Sequence, residues 1–170
     1  SLIAERGRLM QNLPGGAMLS VRLPESQVSP LLDGNLSLAA VNAPSLSVVA
    51  GSFVAIAALE SQLQRDGIAF RRLHTSHAFH SAMMDPIVEP FTDYVSRLRL
   101  APPKTPYLSC VTGTWITDAQ ATDPAYWARH FRQPVRFSEA VTKLRDKAGN
   151  VLLEVGPGAT LQTLARQHPL

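Results

Sequence analysis

Three of the five histidines in the chain fall within seven residues, at His74, His77 and His80. Imidazole changes its charge near neutral pH, so it is the side chain best suited to moving a proton in a reaction. Before this cluster, residues 68–73 alternate loosely between apolar and basic side chains, which predicts a strand. After it, apolar side chains recur at helical spacing over residues 87–98. His80 is therefore predicted to lie in a loop between a strand and a helix, where rigid elements hold it beside a cleft.

Three interpretations of the histidine cluster compete. A metal site is disfavoured, because the surrounding residues favour an extended chain and no acidic or cysteine ligand stands close by. Partly buried histidines bonded to backbone are the ordinary outcome for an isolated histidine. The third interpretation is a general base, and it depends on the residues around His80.

The segment His-Ala-Phe-His, followed by Ser-Ala-Met-Met-Asp-Pro, resembles the active-site histidine segment of the acyltransferase domains of modular polyketide synthases. Those domains are relatives of the malonyl-CoA:acyl carrier protein transacylases of fatty acid synthesis. Further matches follow along the chain in the family's order, at residues 5–10, 41–44, 48–51, 126–130, 133–137 and 153–158. Together these segments extend over nearly the whole chain.

The resemblance implies a role for several residues. His80 would be the catalytic base, and Phe79 beside it would favour malonyl over methylmalonyl units. A backbone carbonyl from the segment that runs from His130 to Gln133, assigned here to His130, would orient the base in place of the acid of a Ser-His-Asp triad. The remaining substrate-binding residues that it implies are Arg6, His77 and Asn42.

Arg6 lies within the apolar stripe of a helix predicted over residues 1–12. A guanidinium in that place either extends past its neighbours to water or meets an anion in a pocket. The planar fork of arginine matches a carboxylate with two parallel hydrogen bonds. The resemblance favours the second interpretation, because the family's arginine pairs with the free carboxylate of the malonyl group.

The order of predicted elements over residues 17–73 is strand, helix, strand, strand, helix, strand, which is the ferredoxin-like order. We expect an α/β protein in which residues 15–75 form a ferredoxin-like α+β small subdomain. The resemblance implies that residues 1–14 and 76–170 belong to a large, α/β-hydrolase-like subdomain, as the end of its first part and its returning C-terminal portion. In that portion we predict buried strands over 107–111 and 151–155, and helices over 124–131, 138–147 and 159–167.

Composition excludes several other classes of function. The net charge is only +3 over 170 residues, and the basic side chains are scattered among acidic ones, so nucleic acid is not an expected partner. No segment is long and apolar enough to span a membrane. Cys110 is the single cysteine and forms no internal disulfide, which suits the cytoplasm.

The function implied by the resemblance is transfer of a malonyl extender unit in polyketide biosynthesis. The unit would pass from malonyl-CoA to the phosphopantetheine thiol of an acyl carrier protein through an acyl-serine ester, with no covalently bound cofactor. Acyl carrier protein, ketosynthase and the other domains of the same synthase are the expected partners. A Gly-His-Ser-x-Gly serine elbow does not occur in the sequence, so we expect the serine to lie outside this chain and the chain alone to be inactive. Two alternatives stay open: a non-catalytic module that docks a carrier protein, and another serine hydrolase-like acyl enzyme.

Overall fold

The computed structural model describes residues 1–146 and 149–169. The α-helices are Leu2–Gln11 (α1), Glu25–Val28 (α2), Phe53–Arg65 (α3), Asp85–Ser96 (α4), Asp118–Ala121 (α5), Pro124–Arg132 (α6), Phe137–Arg145 (α7) and Thr160–Ala165 (α8). The strands are Ala17–Val21 (β1), Leu36–Ala43 (β2), Leu46–Gly51 (β3) and Phe70–Arg72 (β4). Short 3-10 turns occur at Ser29–Leu31 and Ala82–Met84.

The four strands form one antiparallel sheet in the order β2-β3-β1-β4. Together with α2 and α3 this is the ferredoxin-like arrangement, which confirms the fold predicted for this part of the chain. Ser52 caps helix α3, because its hydroxyl accepts a hydrogen bond from the Ala55 N–H and so satisfies a free donor of the first turn. Its buried side chains Ile56, Leu59 and Leu63 recur every three or four residues and cover one face of the sheet.

The other face of the sheet packs against the segment that carries the histidines. Met18, Val48 and Ala50 form a buried cluster there with Ala78, and Phe79 is partly buried against it. The approach is close, because a Cβ added to the neighbouring Gly16 would lie 2.8 Å from the Ala78 Cβ and 2.9 Å from the Gly51 carbonyl oxygen. The sheet thus fixes the backbone immediately before His80.

A third buried cluster joins α4 to α6. Ile87, Phe91 and Val95 of α4 pack on Ala128 and Phe131 of α6. The rings of Phe91 and Phe131 meet edge to face, with their centroids 4.5 Å apart. Partly buried side chains of α1, among them Leu2 and Leu9, pack against the same cluster, so α1, α4 and α6 form one helical layer.

The buried strand predicted over residues 107–111 is wrong. Leu108 makes only an isolated antiparallel bridge to Trp115, and two hydrogen bonds close a local turn, from Ser109 N–H to the Thr114 carbonyl and from Ile116 N–H to the Tyr107 carbonyl. The Cys110 carbonyl also accepts a single hydrogen bond from Arg136 N–H at 2.7 Å. Residues 107–111 are not among the strands of the sheet in the described residues.

The buried strand predicted over residues 151–155 is also wrong. Val151 and Val155 are 91% and 89% exposed. A strand of a parallel sheet is covered and hydrogen-bonded by its neighbours, and the strands of the described residues are all used in the antiparallel sheet. Glu154 instead accepts the Leu161 and Gln162 N–H groups at 3.1 and 2.9 Å, at the first turn of α8.

The helices predicted after residue 120 are present as α6, α7 and α8, with shifted ends. The helix predicted over 138–147 spans Phe137–Arg145, and Lys147 lies outside the described residues. The subdomain boundaries at residues 14, 75 and 76 stay a prediction. Within the described residues, no helix has the length and apolar character to cross a membrane.

Candidate active site

The backbone of His80 is held in an uncommon conformation. Its φ of 59° lies in the left-handed region, which residues other than glycine seldom adopt. The His80 N–H donates to the Phe131 carbonyl at 2.9 Å. On its C-terminal side, the Ser81 hydroxyl accepts from Met83 N–H and donates to the Ala78 carbonyl, which starts the turn that leads into α4. These bonds stabilise a backbone that directs the ring toward the end of α6.

The His80 ring is anchored through one nitrogen. Its Nδ1 lies 2.9 Å from the Gln133 carbonyl oxygen. A carbonyl only accepts, so Nδ1 carries the proton of the neutral ring and Nε2 keeps its lone pair. The assignment of this carbonyl to His130 is therefore wrong by three residues. Gln133 has the extended φ and ψ of −79° and 147° at the end of α6, so its carbonyl points away from the helix.

The sheet holds the Gln133 segment in place. Val135 pairs with Ala40 in a parallel bridge, with Val41 N–H donating to the Val135 carbonyl at 2.8 Å and Val135 N–H to the Ala39 carbonyl at 2.9 Å. The orienting carbonyl is thus fixed two residues before a contact with β2. The sheet positions both partners of the His80 bond.

The surroundings of His80 favour its neutral form. Burial lowers the pKa of His80 below its ordinary value, the bond to the Gln133 carbonyl opposes that shift, and the positive charge of Arg6 lowers the pKa further. A histidine whose pKa lies below its ordinary value is unprotonated at neutral pH. Nε2 of His80 is therefore ready to accept a proton.

Arg6 lies on α1 near the same site. Its guanidinium carbon is 5.4 Å from the centroid of the Phe131 ring, a cation-π distance. Phe131 thus contacts both residues, since its ring lies under Arg6 and its carbonyl accepts the His80 N–H. Arg6 makes no ion pair within the described residues, so its charge is available to a bound anion.

His77 and Phe79 occupy more enclosed positions. His77 is 7% exposed, its Nδ1 pairs with the Ser76 hydroxyl at 2.8 Å, and its Nε2 pairs with the Leu13 carbonyl at 3.2 Å. Both ring nitrogens are occupied, and the ring ties the histidine segment to the residues that follow α1. Phe79 packs between the sheet cluster and the helical cluster, with its ring centroid 6.0 Å from that of His77.

Asn42 lies on β2, at one edge of the sheet. It is half-buried at an irregularity in the pairing with β3, between Val41 and Ala43. Among the described residues its side chain has no hydrogen bond, and none connects it to His80. Its neighbour Val41 bonds to the Val135 carbonyl, in the segment that follows Gln133, and the substrate-binding role of Asn42 stays a prediction.

The side chain of His130 lies against the aromatic residues of its own helix. Its ring stacks on Trp127 at 5.5 Å and meets the edge of Tyr126 at 5.4 Å. Burial lowers the pKa of His130, and the charges of His80 and Arg6 lower it further. Its Nε2 is buried without a partner among the described residues. Among the described residues, no group of three or more histidine, cysteine, aspartate or glutamate side chains lies close enough together to bind a metal ion.

Comparison with known proteins assigns the family. Residues 1–168 match the family described as the acyl transferase domain. The chain belongs to this acyl transferase domain family. It is 41% identical over 167 residues to a phenolphthiocerol/phthiocerol polyketide synthase protein of Mycobacterium tuberculosis, a match that covers 98% of this chain and 11% of that protein. It is 39% identical over 170 residues to the spectinabilin polyketide synthase system protein NorB of Streptomyces orinoci, covering 98% and 8%.

Solved structures agree with the family and with the predicted fold class. The acyl transferase domain of SpnD, in complex with 2-(pent-4-yn-1-yl)malonyl, is 46% identical with a TM-score of 0.92, covering 98% of this chain and 40% of that one. The malonyl CoA-acyl carrier protein transacylase from Burkholderia pseudomallei is 30% identical with a TM-score of 0.86, covering 98% and 60%. This acyl transferase chain therefore spans about a tenth of the length of the two synthase proteins and less than two thirds of the solved domains.

The segment from His130 to Gln133 does supply the orienting carbonyl, but the assignment to His130 overlooked a signal in the sequence for Gln133. Pro134 follows directly, and a residue before proline is driven out of the helical region into an extended conformation. That preference ends α6 at Arg132 and frees the Gln133 carbonyl from the helix. The role of Phe131 carried no such signal, because it depends on three elements meeting in space.

Proposed function

We propose that this acyl transferase chain supplies the base and the substrate-binding side chains for moving a malonyl unit from malonyl-CoA to the phosphopantetheine thiol of an acyl carrier protein, in polyketide biosynthesis. The nucleophilic serine lies outside this chain. The observation that carries the proposal is the His80 ring, with Nδ1 bound to the Gln133 carbonyl at 2.9 Å and Nε2 left to accept a proton. A backbone carbonyl fixes the ring as an acid does in a triad.

The first half of the reaction forms the acyl-serine ester. Nε2 of His80 takes the proton of the serine hydroxyl as its oxygen attacks the thioester carbonyl of malonyl-CoA. The carbon–sulfur bond then breaks, and the coenzyme A thiolate leaves with the proton that His80 returns. The lowered pKa of His80 supports this role, because the ring gives up that proton readily.

The second half repeats the proton transfer with the carrier protein. His80 takes the proton of the phosphopantetheine thiol, the sulfur attacks the ester carbonyl, and the serine oxygen leaves and recovers the proton. One base therefore serves both halves.

Arg6 selects the acyl group in this proposal. Its guanidinium forms two parallel hydrogen bonds with the free carboxylate of the malonyl unit, which orients the unit as well as attracting it. Support comes from its position over Phe131 and from the absence of an ion pair to Arg6 within the described residues. Phe79, beside the base, limits the room for a branch on the acyl unit.

Partners and place in the cell complete the proposal. Acyl carrier protein, ketosynthase and the other synthase domains are its partners, and no covalently bound cofactor takes part. The single cysteine favours a reducing compartment such as the cytoplasm.

The test uses a complete domain in which this chain is joined to a serine-bearing part. Mixing that domain with malonyl-CoA is expected to add the mass of one malonyl group to the serine, and a phosphopantetheine-loaded carrier protein is expected to remove it. A domain that acquires the ester equally fast after loss of the His80 imidazole would contradict the proposal.

A further inference from the structure

The segment that carries the orienting carbonyl runs along an open edge of the sheet. β2 is an edge strand, because the strand order is β2-β3-β1-β4. Val135 pairs with β2 through the Ala39 carbonyl and the Val41 N–H, and this bridge is isolated within the described residues. An isolated bridge fixes one point of the segment but leaves the chain free to turn about that point. The direction of residues 133–136 therefore depends on further contacts.

Arg136 supplies those contacts through its backbone and its side chain. Its N–H donates to the Cys110 carbonyl at 2.7 Å. Its guanidinium Nη1 donates to a carboxylate oxygen of Glu25 at 2.5 Å and to one of Glu139 at 3.2 Å, and 26% of the arginine side chain is exposed. Glu139 lies three residues farther along the same segment, so it gives no outside attachment. Glu25 is 111 residues away in the sequence and makes the shorter contact.

Glu25 is held in place by the helix that it begins. Val28 of α2 is 1% exposed and packs with Val49 and the buried stripe of α3. α2 therefore lies on the face of the sheet opposite the histidine segment, which packs on the other face with Val135 beside it. The ion pair between Arg136 and Glu25 thus ties the segment at the β2 edge to the core on the far face.

The direction of the Gln133 carbonyl depends on this attachment. The N–H of Gln133 is bound to the Arg129 carbonyl at 2.8 Å, so α6 fixes the residue on its N-terminal side. The carbonyl turns about the ψ angle of Gln133, which is 147° and changes with the position of the residues that follow. Pro134 restricts the chain between Gln133 and Arg136, because its ring fixes its own φ. A shift of Arg136 is therefore transmitted to the carbonyl.

We propose that Arg136 is a positioning residue, whose ion pair with Glu25 holds the Gln133 carbonyl against Nδ1 of His80. Arg136 touches no reacting atom in this role. Without the carbonyl, the neutral His80 ring can carry its proton on either nitrogen, and a proton on Nε2 removes the acceptor that the reaction needs. The effect on the rate rests on the proposed function of His80, whereas the effect on the ring proton does not.

The experiment uses the complete domain, in which this chain is joined to a serine-bearing part. Long-range proton–nitrogen NMR at pH 7 locates the His80 ring proton, and intact-mass measurement follows acylation of the serine by malonyl-CoA. In Arg136→Gln and in Glu25→Gln, we expect part of the ring proton population to move from Nδ1 to Nε2. Acylation at saturating malonyl-CoA should slow by roughly 3- to 30-fold per folded molecule, less than on loss of the base itself. The malonyl-CoA concentration at half-maximal rate should change by less than about twofold, because Arg6 and Phe79 stay in place.

Three further substitutions make the test specific. Arg72→Gln removes a similar ion pair at the opposite edge of the sheet, where Arg72 donates to the two carboxylate oxygens of Glu60 at 2.9 and 2.6 Å. It is expected to leave the ring proton and the rate unchanged. Glu139→Gln keeps the Glu25 contact and is expected to slow acylation less than Glu25→Gln does. Arg136→Lys keeps the charge and is expected to recover part of the rate lost in Arg136→Gln. Urea unfolding of each variant corrects the rates for the folded fraction.

A His80 proton that stays on Nδ1 in both Arg136→Gln and Glu25→Gln would overturn the proposal. So would an equal shift of that proton in Arg72→Gln. His80→Asn in the same assay separates this proposal from the proposed function. If that substitution leaves acylation fast, His80 is not the base, and the ring spectra alone decide whether Arg136 positions the carbonyl. If it slows acylation while the ring spectra of the Arg136 and Glu25 variants stay unchanged, the base stands and the positioning role is wrong.

Discussion

Replacing His80 by asparagine tests the loss of the catalytic base without a loss of the local backbone conformation. Asparagine tolerates the left-handed φ of 59° better than alanine does, and its amide can still donate to the Gln133 carbonyl, but it accepts no proton near neutral pH. We expect acylation of the serine in a complete domain to slow by roughly 10²–10⁴-fold, the usual loss for a general base. That is about 3–5.5 kcal/mol in the activation barrier. The free energy of unfolding is expected to change little.

His77→Ala is the matched comparison in the same segment. Its ring is buried and bonds to the Leu13 carbonyl and the Ser76 hydroxyl, so its loss is expected to cost about 1–3 kcal/mol of unfolding free energy. The rate per folded molecule is expected to change much less than for His80→Asn. The assay is intact-mass measurement of the malonyl ester after rapid quenching, beside urea unfolding of each variant. Equal slowing by the two substitutions would refute the assignment of the base.

Four further outcomes are expected. Arg6→Ala should weaken loading of malonyl and relax discrimination against acyl-CoAs without a carboxylate, measured by competition between malonyl-CoA and acetyl-CoA. The complete domain should load malonyl in preference to methylmalonyl, and Phe79→Ser should narrow a gap of roughly 10- to 100-fold without inverting it, read from the ratio of acyl-enzyme masses. Gly16→Ala should lower the free energy of unfolding by about 1–3 kcal/mol, because its Cβ meets Ala78 at 2.8 Å. Burial lowers the pKa of His80 in the folded state, so the unfolding free energy should fall as the pH drops below the ordinary histidine value of about 6.5, and less steeply in His80→Asn, as urea titrations at several pH values would show.

Local patterns were sufficient for the small subdomain. Helix α3 has its cap and its buried stripe in adjacent residues, and the order of strands and helices over residues 17–72 is the ferredoxin-like order, which specifies the antiparallel sheet. The buried strand predicted over residues 151–155 is absent, because an apolar run is buried in a sheet only where neighbouring strands cover it. The described residues contain no strand that pairs with this segment. The sequence pattern shows that residues 151–155 are apolar, but it does not show which elements pack against them.

The sequence predicted the side chains of the site that act through their own chemistry. It did not predict the contacts that form where separate helices and strands meet. His80 and Arg6 are recognisable from the residues around them, and the structure brings both to Phe131. The orienting group was misplaced because a backbone carbonyl is not recognisable from the type of its own residue, and only the following Pro134 marks Gln133 as the residue whose carbonyl leaves the helix. The enclosed position of His77 likewise depends on the Leu13 carbonyl, 64 residues away in the sequence.

The proposed mechanism requires Nε2 of His80 to be an unprotonated acceptor, held ready by the Gln133 carbonyl. Long-range proton–nitrogen NMR of the histidine rings at pH 7 tests this directly, with His80 assigned from the spectrum of His80→Asn. We predict a proton on Nδ1 and the chemical shift of an unprotonated nitrogen at Nε2. A proton on Nε2 at that pH, in the neutral or the charged ring, would contradict the mechanism.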